Sequence, residues 1–515
     1  PITMTHIDAS RRQWLCRAAA LSAHAAAAPL ALNLAALGSA AAQGAGDYKA
    51  LVCLFLFGGN DAYNTMLPTD SASWVNYTAV RSQAPDPIAL LAPGTPPNPA
   101  AGAGTPARLG GVLPLMPAVA LPRPVALHPV LGPLQGLFNT DRRLAVLSNI
   151  GPLAQPTTKA QYALASHPKP ENLYSHNDQA NTWQALAPEG ATRGWGGRMG
   201  DHVAAMNGMP VFTSVSAAGN AVWLAGDSIN QYQVSSNGAI RLGSDSSGKV
   251  YGSSAVAQAM ERIVGSARGS HVLEADLSAV AARSMAAELA LRNALRPAGS
   301  APFGTPPAAG ASYSANDDPL LRYPNPLTGS TASSTLAQQL QVVARMIDAG
   351  RTTLGARRQV FFVSLGGFDT HDTQNRNQAD LLARLAHGMA YFDAVMGGLG
   401  LRNQVTLFTA SDFGRTFTSN GDGTDHGWGG HHFVMGGAVR GGAVYGALPV
   451  LGAKNATNNN FDSSPDQLGN GALLPTTSVD QLGATLGRWF GLSDAELLDL
   501  FPNLVHFGTR DLGFI

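Results

Sequence analysis

The sequence predicts an α/β fold built on a mostly parallel central sheet with helices on both faces, and three observations predict it. Lys49–Phe57 (KALVCLFLF), residues 359–365 (QVFFVSL) and residues 404–409 (QVTLFT) are short, continuous apolar runs, the pattern of strands buried on both faces. Each run ends in a tight turn followed by an aspartate: Asp61, Asp369 and Asp412. Helix-patterned segments lie between them. A parallel sheet gathers the carboxyl ends of its strands on one edge, and open α/β sheets bind their ligands there.

The elements follow in order. Ser10-Arg11-Arg12-Gln13-Trp14-Leu15 resembles the twin-arginine export motif, with Trp14 where phenylalanine is commoner. An Ala/Leu-rich stretch over residues 16–37 and a small-residue cleavage site at Ala40-Ala41-Ala42 complete a signal peptide over residues 1–42. The competing reading is a membrane anchor, against which His24 and Asn33 count. The mature chain is expected to start near Gln43 and to be periplasmic or secreted. The twin-arginine translocase is its partner during export, and no membrane contact is expected after cleavage.

Residues 43–515 then read as one domain with Pro/Gly/Ala-rich insertions near 93–127 and 297–332. Residues 144–147 (LAVL) are a strand closed by Ser148-Asn149-Ile150-Gly151-Pro152. Residues 209–252 hold short strand-like pieces such as Ala221-Val222-Trp223-Leu224. Residues 271–295, 337–349 and 375–396 have helical spacing, and so does the tail over 478–500, with Ser493 as a cap before Glu496.

Composition removes several function classes. The 515 residues carry 33 basic and 33 acidic side chains, a balance that argues against a nucleic-acid partner. Neither a Walker loop nor a dinucleotide fingerprint is present, and no Gly-x-Ser-x-Gly elbow follows a strand. Cys16 leaves with the signal, so Cys53 alone remains and stability must come from core packing.

Four clusters carry chemistry: Gly58-Gly59-Asn60-Asp61; Ser175-His176-Asn177-Asp178; Gly366-Gly367-Phe368-Asp369-Thr370-His371; and Ser411-Asp412-Phe413-Gly414-Arg415-Thr416 with Gly423-Thr424-Asp425-His426-Gly427. Asp and His are the ligands a hard or borderline divalent ion prefers, and paired ions clamp the oxygens of an ester displacement. Each cluster alone has a plainer reading: Gly-Gly-x-Asp as a turn, Asp369 or Asp412 as a helix cap. Ser175 is either a cap or a nucleophile at a helix start whose free N–H groups suit an anion. His176 is a candidate general acid or base. Asn60 and Asn64, in the turn past the first strand, and Arg415 are candidate substrate contacts; Arg198 is a second candidate for neutralising an anion.

These motifs, with Leu147-Ser148-Asn149-Ile150-Gly151-Pro152-Leu153 and Gly436-Gly437, resemble the bacterial family catalogued as domain of unknown function 1501, whose members are often twin-arginine exported. They span residues 57 to 437 in a fixed order. That family is similar in fold to the alkaline phosphatase and sulfatase superfamily. The resemblance implies metal ligation by Asp61, Asp369, His371, Asp412 and His426, with Ser175 as nucleophile. The superfamily's second paired histidine is Phe413 here, so His432, His431, Asp425 or His176 substitutes, or a single ion binds, as in a calcium-preferring sulfatase arrangement. The formylglycine motif Cys-x-Pro-x-Arg is absent. The implied function is an exported hydrolase or transferase of phosphate or sulfate esters, on a small-molecule or glycan substrate. Zinc, calcium, manganese and magnesium are not distinguished. The alternative is a non-catalytic metal- or glycan-binding or assembly protein that kept the fold.

Overall fold

The computed structural model describes residues 48–236, 238–239, 249–266 and 271–515; the signal peptide expected over 1–42 lies outside them. In chain order the elements that position the site are β1 (Lys49–Phe57), α1 (Ser71–Arg81), β2 (Leu144–Gly151), α2 (His176–Ala185), α3 (Trp195–Val203), β3 (Ser214–Ser216), β4 (Tyr232–Ser235), α4 (Thr335–Thr352), β5 (Arg358–Gly366), α5 (Gln374–Gly398), β6 (Val405–Ser411), β7 (Arg415–Ser419), β8 (Thr424–His426), β9 (Gly430–Met435), β10 (Ala443–Tyr445) and α6 (Val479–Phe490).

One large sheet runs in the order β10-β2-β9-β6-β1-β5-β3-β4. β1 pairs in parallel with β5 and β6, and β5 with β3; β9 alone runs antiparallel to both its neighbours, β6 and β2. The expected mixed α/β fold with a mostly parallel central sheet is therefore present. β1 shows why its run is unbroken. Ala50, Val52, Leu54 and Leu56 pack on one side with α4 and α5, while Leu51, Cys53 and Phe55 pack on the other with α3 and α6. Both faces of the strand are covered, so no position is left for a polar residue. α6 begins at a capping box made by Ser478 and Gln481 and stops at Gly491, whose φ of 119° breaks the helix.

Other expectations change. Residues 222–224 form a 3-10 turn, not a strand, because Trp223 packs its indole onto Gly196. The insertion near 93–127 carries a small antiparallel sheet in which Val125–Leu127 is wholly buried. The strand expected over 144–147 continues to Gly151, and the tail divides into α6 and Asp494–Leu500. β9 is a strand the apolar pattern does not reveal, since it opens Gly-His-His. Among the described residues no helix is long and apolar enough to cross a membrane.

Sheet register fixes the functional edge. Phe57 lies opposite Gly366 and Leu56 opposite Ser411, so β1, β5 and β6 end within one residue of one another. The chain leaves β1 through Gly58 and Gly59, at φ 111° and 83°. A side chain at Gly58 would meet the Asp369 backbone N at 2.3 Å, and one at Gly59 the Phe413 ring at 2.4 Å. Only glycine lets these three turns nest together.

Three buried histidines make the fold acid-sensitive. Burial pushes His128 and His432 down to about 3 and His431 down to about 4. Their folded values lie below the unfolded ~6.5, so the unfolded chain binds more protons and stability is lost as pH falls below that value. Asp480, pushed up to about 6 by burial, works in the opposite direction. Together these four groups are expected to remove on the order of 4 kcal/mol between pH 7 and pH 5. Urea midpoints across that window check this, and a flat profile would refute neutral burial of the histidines.

Candidate metal centre

Asp369, past β5, receives three imidazoles at the shared edge. His371 comes from the same turn, His426 from the end of β8 and His176 from the first residue of α2. His371 Nε2 and His426 Nε2 lie 3.1 and 3.4 Å from Asp369 Oδ1, and His176 Nε2 lies 3.5 Å from Oδ2. The two former nitrogens face each other at 2.9 Å.

The far side of each ring decides what these nitrogens offer. His176 Nδ1 is 2.8 Å from Asp412 Oδ2, His426 Nδ1 is 2.7 Å from the Tyr174 carbonyl, and His371 Nδ1 is 3.3 Å from Asp425 Oδ1. All three partners only accept, so each Nδ1 carries the proton and donates it. In the neutral rings the three Nε2 atoms are then lone pairs directed at a carboxylate. Such an arrangement repels itself until a proton or a cation lies among these atoms. His176 Nε2 is buried and has no hydrogen-bond partner. Bonds of about 2.0–2.1 Å to one ion place neighbouring ligand atoms about 3.0–3.4 Å apart, close to the spacings around Asp369 Oδ1. His176, Asp369 and His426 form a compact ligand group with all ligand atoms within 4.8 Å.

Asp412 and Arg415 act one step back from that group. Asp412 is buried, and its Oδ2 accepts from Gly58 N at 3.0 Å as well as from His176. It orients an imidazole, as the carboxylate of a carboxylate–histidine–metal unit does. The Asp412 hydrogen bond raises the His176 imidazole above its usual range. Burial lowers that of His426. Burial alone would raise Asp369, but the hydrogen bond and charge of Arg415, with His371 and His176, hold its carboxyl below the usual range.

Arg415 is fully buried and spends its donors on Gly58 O, Thr424 O, Thr424 Oγ1 and Asp369 Oδ1, the last at 2.9 Å. It is a clamp on Asp369 and has no free edge for a substrate anion. Arg198 is engaged with Asp499 at 3.1 Å, away from these residues.

Asp61 is not brought to the cluster. Its carboxylate is wholly buried against Arg81, at 2.5 and 3.1 Å, and also accepts from Gln374 Nε2 at 2.6 Å and Tyr63 N at 3.0 Å. Asn64 Oδ1 accepts from Arg81 and Tyr77, while the Asn60 side chain pairs with Thr65. Asp61 and Asn64 face inward because Arg81, on α1, needs counter-charge and acceptors in a buried place. Gln374 extends this network: its Oε1 accepts from Thr424 Oγ1 at 2.7 Å and Thr370 Oγ1 at 3.3 Å, the residues beside Asp425 and Asp369.

Ser175 precedes His176 but makes no capping bond to the backbone of α2; it lies near Asp178, whose carboxyl it helps to hold below the usual range. His431 and His432 do not replace the missing ligand. His431 accepts from Asn149 N, and His432 pairs with Thr409 inside the sheet. The Phe413 ring instead packs 4.8 Å from His176 and 4.7 Å from His426 as an apolar wall.

The model of the family described as "Protein of unknown function (DUF1501)" matches residues 48–501 of the chain. No curated protein matches it.

The buried pair gives a direct test of Asp61. Asp61→Ala leaves Arg81 charged and uncompensated, and is expected to cost about 3–5 kcal/mol of stability whether or not chelator is present. Denaturation with and without chelator separates the roles: a loss confined to ion-loaded protein would make Asp61 a ligand after all.

Proposed function

This chain belongs to the DUF1501 family, and we propose that it is an exported, metal-dependent hydrolase or transferase of phosphate or sulfate esters. The observation that carries the reading is the set of three Nε2 lone pairs turned onto Asp369, each with its Nδ1 tied to an obligate acceptor. Asp369, His426, His176 and His371 would hold one divalent ion, with Asp412, Asp425 and the Tyr174 carbonyl orienting the rings. A set rich in imidazole suits zinc or manganese better than calcium or magnesium, which take oxygen ligands. A bound ion would act as a Lewis acid on an ester oxygen.

The protein's own groups do the rest. Arg415 keeps Asp369 ionised and fixed. The amino end of α2, with its unpaired N–H groups, suits an anionic ester. Ser175 at that end is the nucleophile of this reading: its oxygen would bond to phosphorus or sulfur as the ester's alkoxy group leaves, and water would then release the group from Ser175. Phe413 keeps water from one side of the His176 and His426 rings. Export rests on the twin-arginine motif at Ser10 to Leu15.

Phe413, in place of a ligand, also favours a second reading, a non-catalytic protein that uses the ion to bind a glycan or a partner.

Elemental analysis after folding with zinc, calcium, manganese and magnesium all present tests the ion. About one zinc or manganese per chain is expected, lost in Asp369→Ala and His426→Ala, with affinity about 10–100-fold weaker in Asp412→Asn. Less than about a tenth of an ion per chain rejects the centre. Parallel assays with aryl phosphates, phosphodiesters and sulfate esters separate the readings, since an occupied site without turnover leaves the binding role.

A further inference from the structure

Helix α2 bears His176 at its first residue, and through Thr182 it also lines a separate cavity of about 240 Å³. The cavity wall is divided between polar and apolar surface, the apolar part coming from Pro152, Leu153, Leu186 and Pro188. Two carboxylates break that surface. Asp480, in the first turn of α6, is 1% exposed. Its Oδ2 accepts from Ser478 Oγ at 2.9 Å, whereas Oδ1 is buried without a hydrogen-bond partner. Glu171, at the surface, makes no ion pair among the described residues.

Among the described residues, Lys169 is the cation on the cavity wall, and it is turned elsewhere. Lys169 Nζ donates to the Tyr162 and Leu164 carbonyls at 2.8 and 3.2 Å and lies over the Tyr162 ring. A buried carboxylate without a counter-charge is costly, and a cation placed against it removes that cost. Burial raises the Asp480 carboxyl, and Ser478, the Asp480 backbone N–H and Asn503 on the same wall offset that only in part.

We propose that this cavity is a binding site for an alkylammonium group, its charge seated between Asp480 and Glu171 and its short carbon stem on the proline and leucine walls. The volume suits a group the size of a butylammonium or a lysine side chain. The proposal does not rest on an ion being held at Asp369.

Titration calorimetry of the folded mature protein with butylammonium, isosteric 1-butanol and tetramethylammonium tests this. Butylammonium is expected to bind, with butanol and tetramethylammonium at least about tenfold weaker because neither makes a charge-assisted N–H bond. Asp480→Asn is expected to weaken butylammonium by about tenfold or more, and Glu171→Gln, at the surface and outside the core, by a smaller factor. Nα-acetyl-lysine amide in a further arm decides between a free amine and the side chain of a polypeptide. Equal heats for butylammonium and butanol, binding unchanged in both variants, or a crystal soaked with the amine that shows only water beside Asp480 would each overturn the proposal.

Discussion

Everything at the site depends on parallel pairing that brings three strands to an end at the same height. β1 sits between β5 and β6, and the three strands end within one residue of one another, so three turns emerge side by side. A slip of one residue would turn the apolar faces of β1 over and move the turns apart at once. The glycines past β1 then let the turns approach to a distance no side chain would allow. The geometry of the edge is thus a by-product of how the core is packed. The buried run that stabilises the sheet also aligns the polar residues beyond it.

Around that edge, charge is managed in two separate networks. Arg81, Asp61 and Gln374 form the inner one, closed to solvent and fully paired. Arg415, Asp369 and the imidazoles form the outer one, half open. Gln374 links them through threonines that flank the outer residues. The inner network holds the loops in place and the outer one is left with unsatisfied lone pairs. This division explains why two aspartates in similar sequence settings, Asp61 and Asp369, end in opposite roles.

Much of this was legible beforehand, and the failures have physical causes. Apolar runs over 49–57, 359–365 and 404–409 announce strands buried on both sides, and they are β1, β5 and β6. Asp369 and Asp412 reach one edge, as the acid-after-strand pattern implies, and His176, His371, Asp425 and His426 meet them there. Asp61 misleads because nothing local marks Arg81, twenty residues on, as its partner; a buried ion pair has no sequence period. β9 escapes notice because His431 and His432 read as polar, yet both rings are held neutral inside the sheet. The division between Asp412 as ring-orienter and His176 as ligand candidate needs distances, since both residue types are equally good ligands on paper.

The outer network is open to solvent: Asp369 and His371 keep 45% of their side-chain surface and Asp425 keeps 58%. An ion held by groups this exposed would stay open to exchange with the surrounding fluid after the chain has folded.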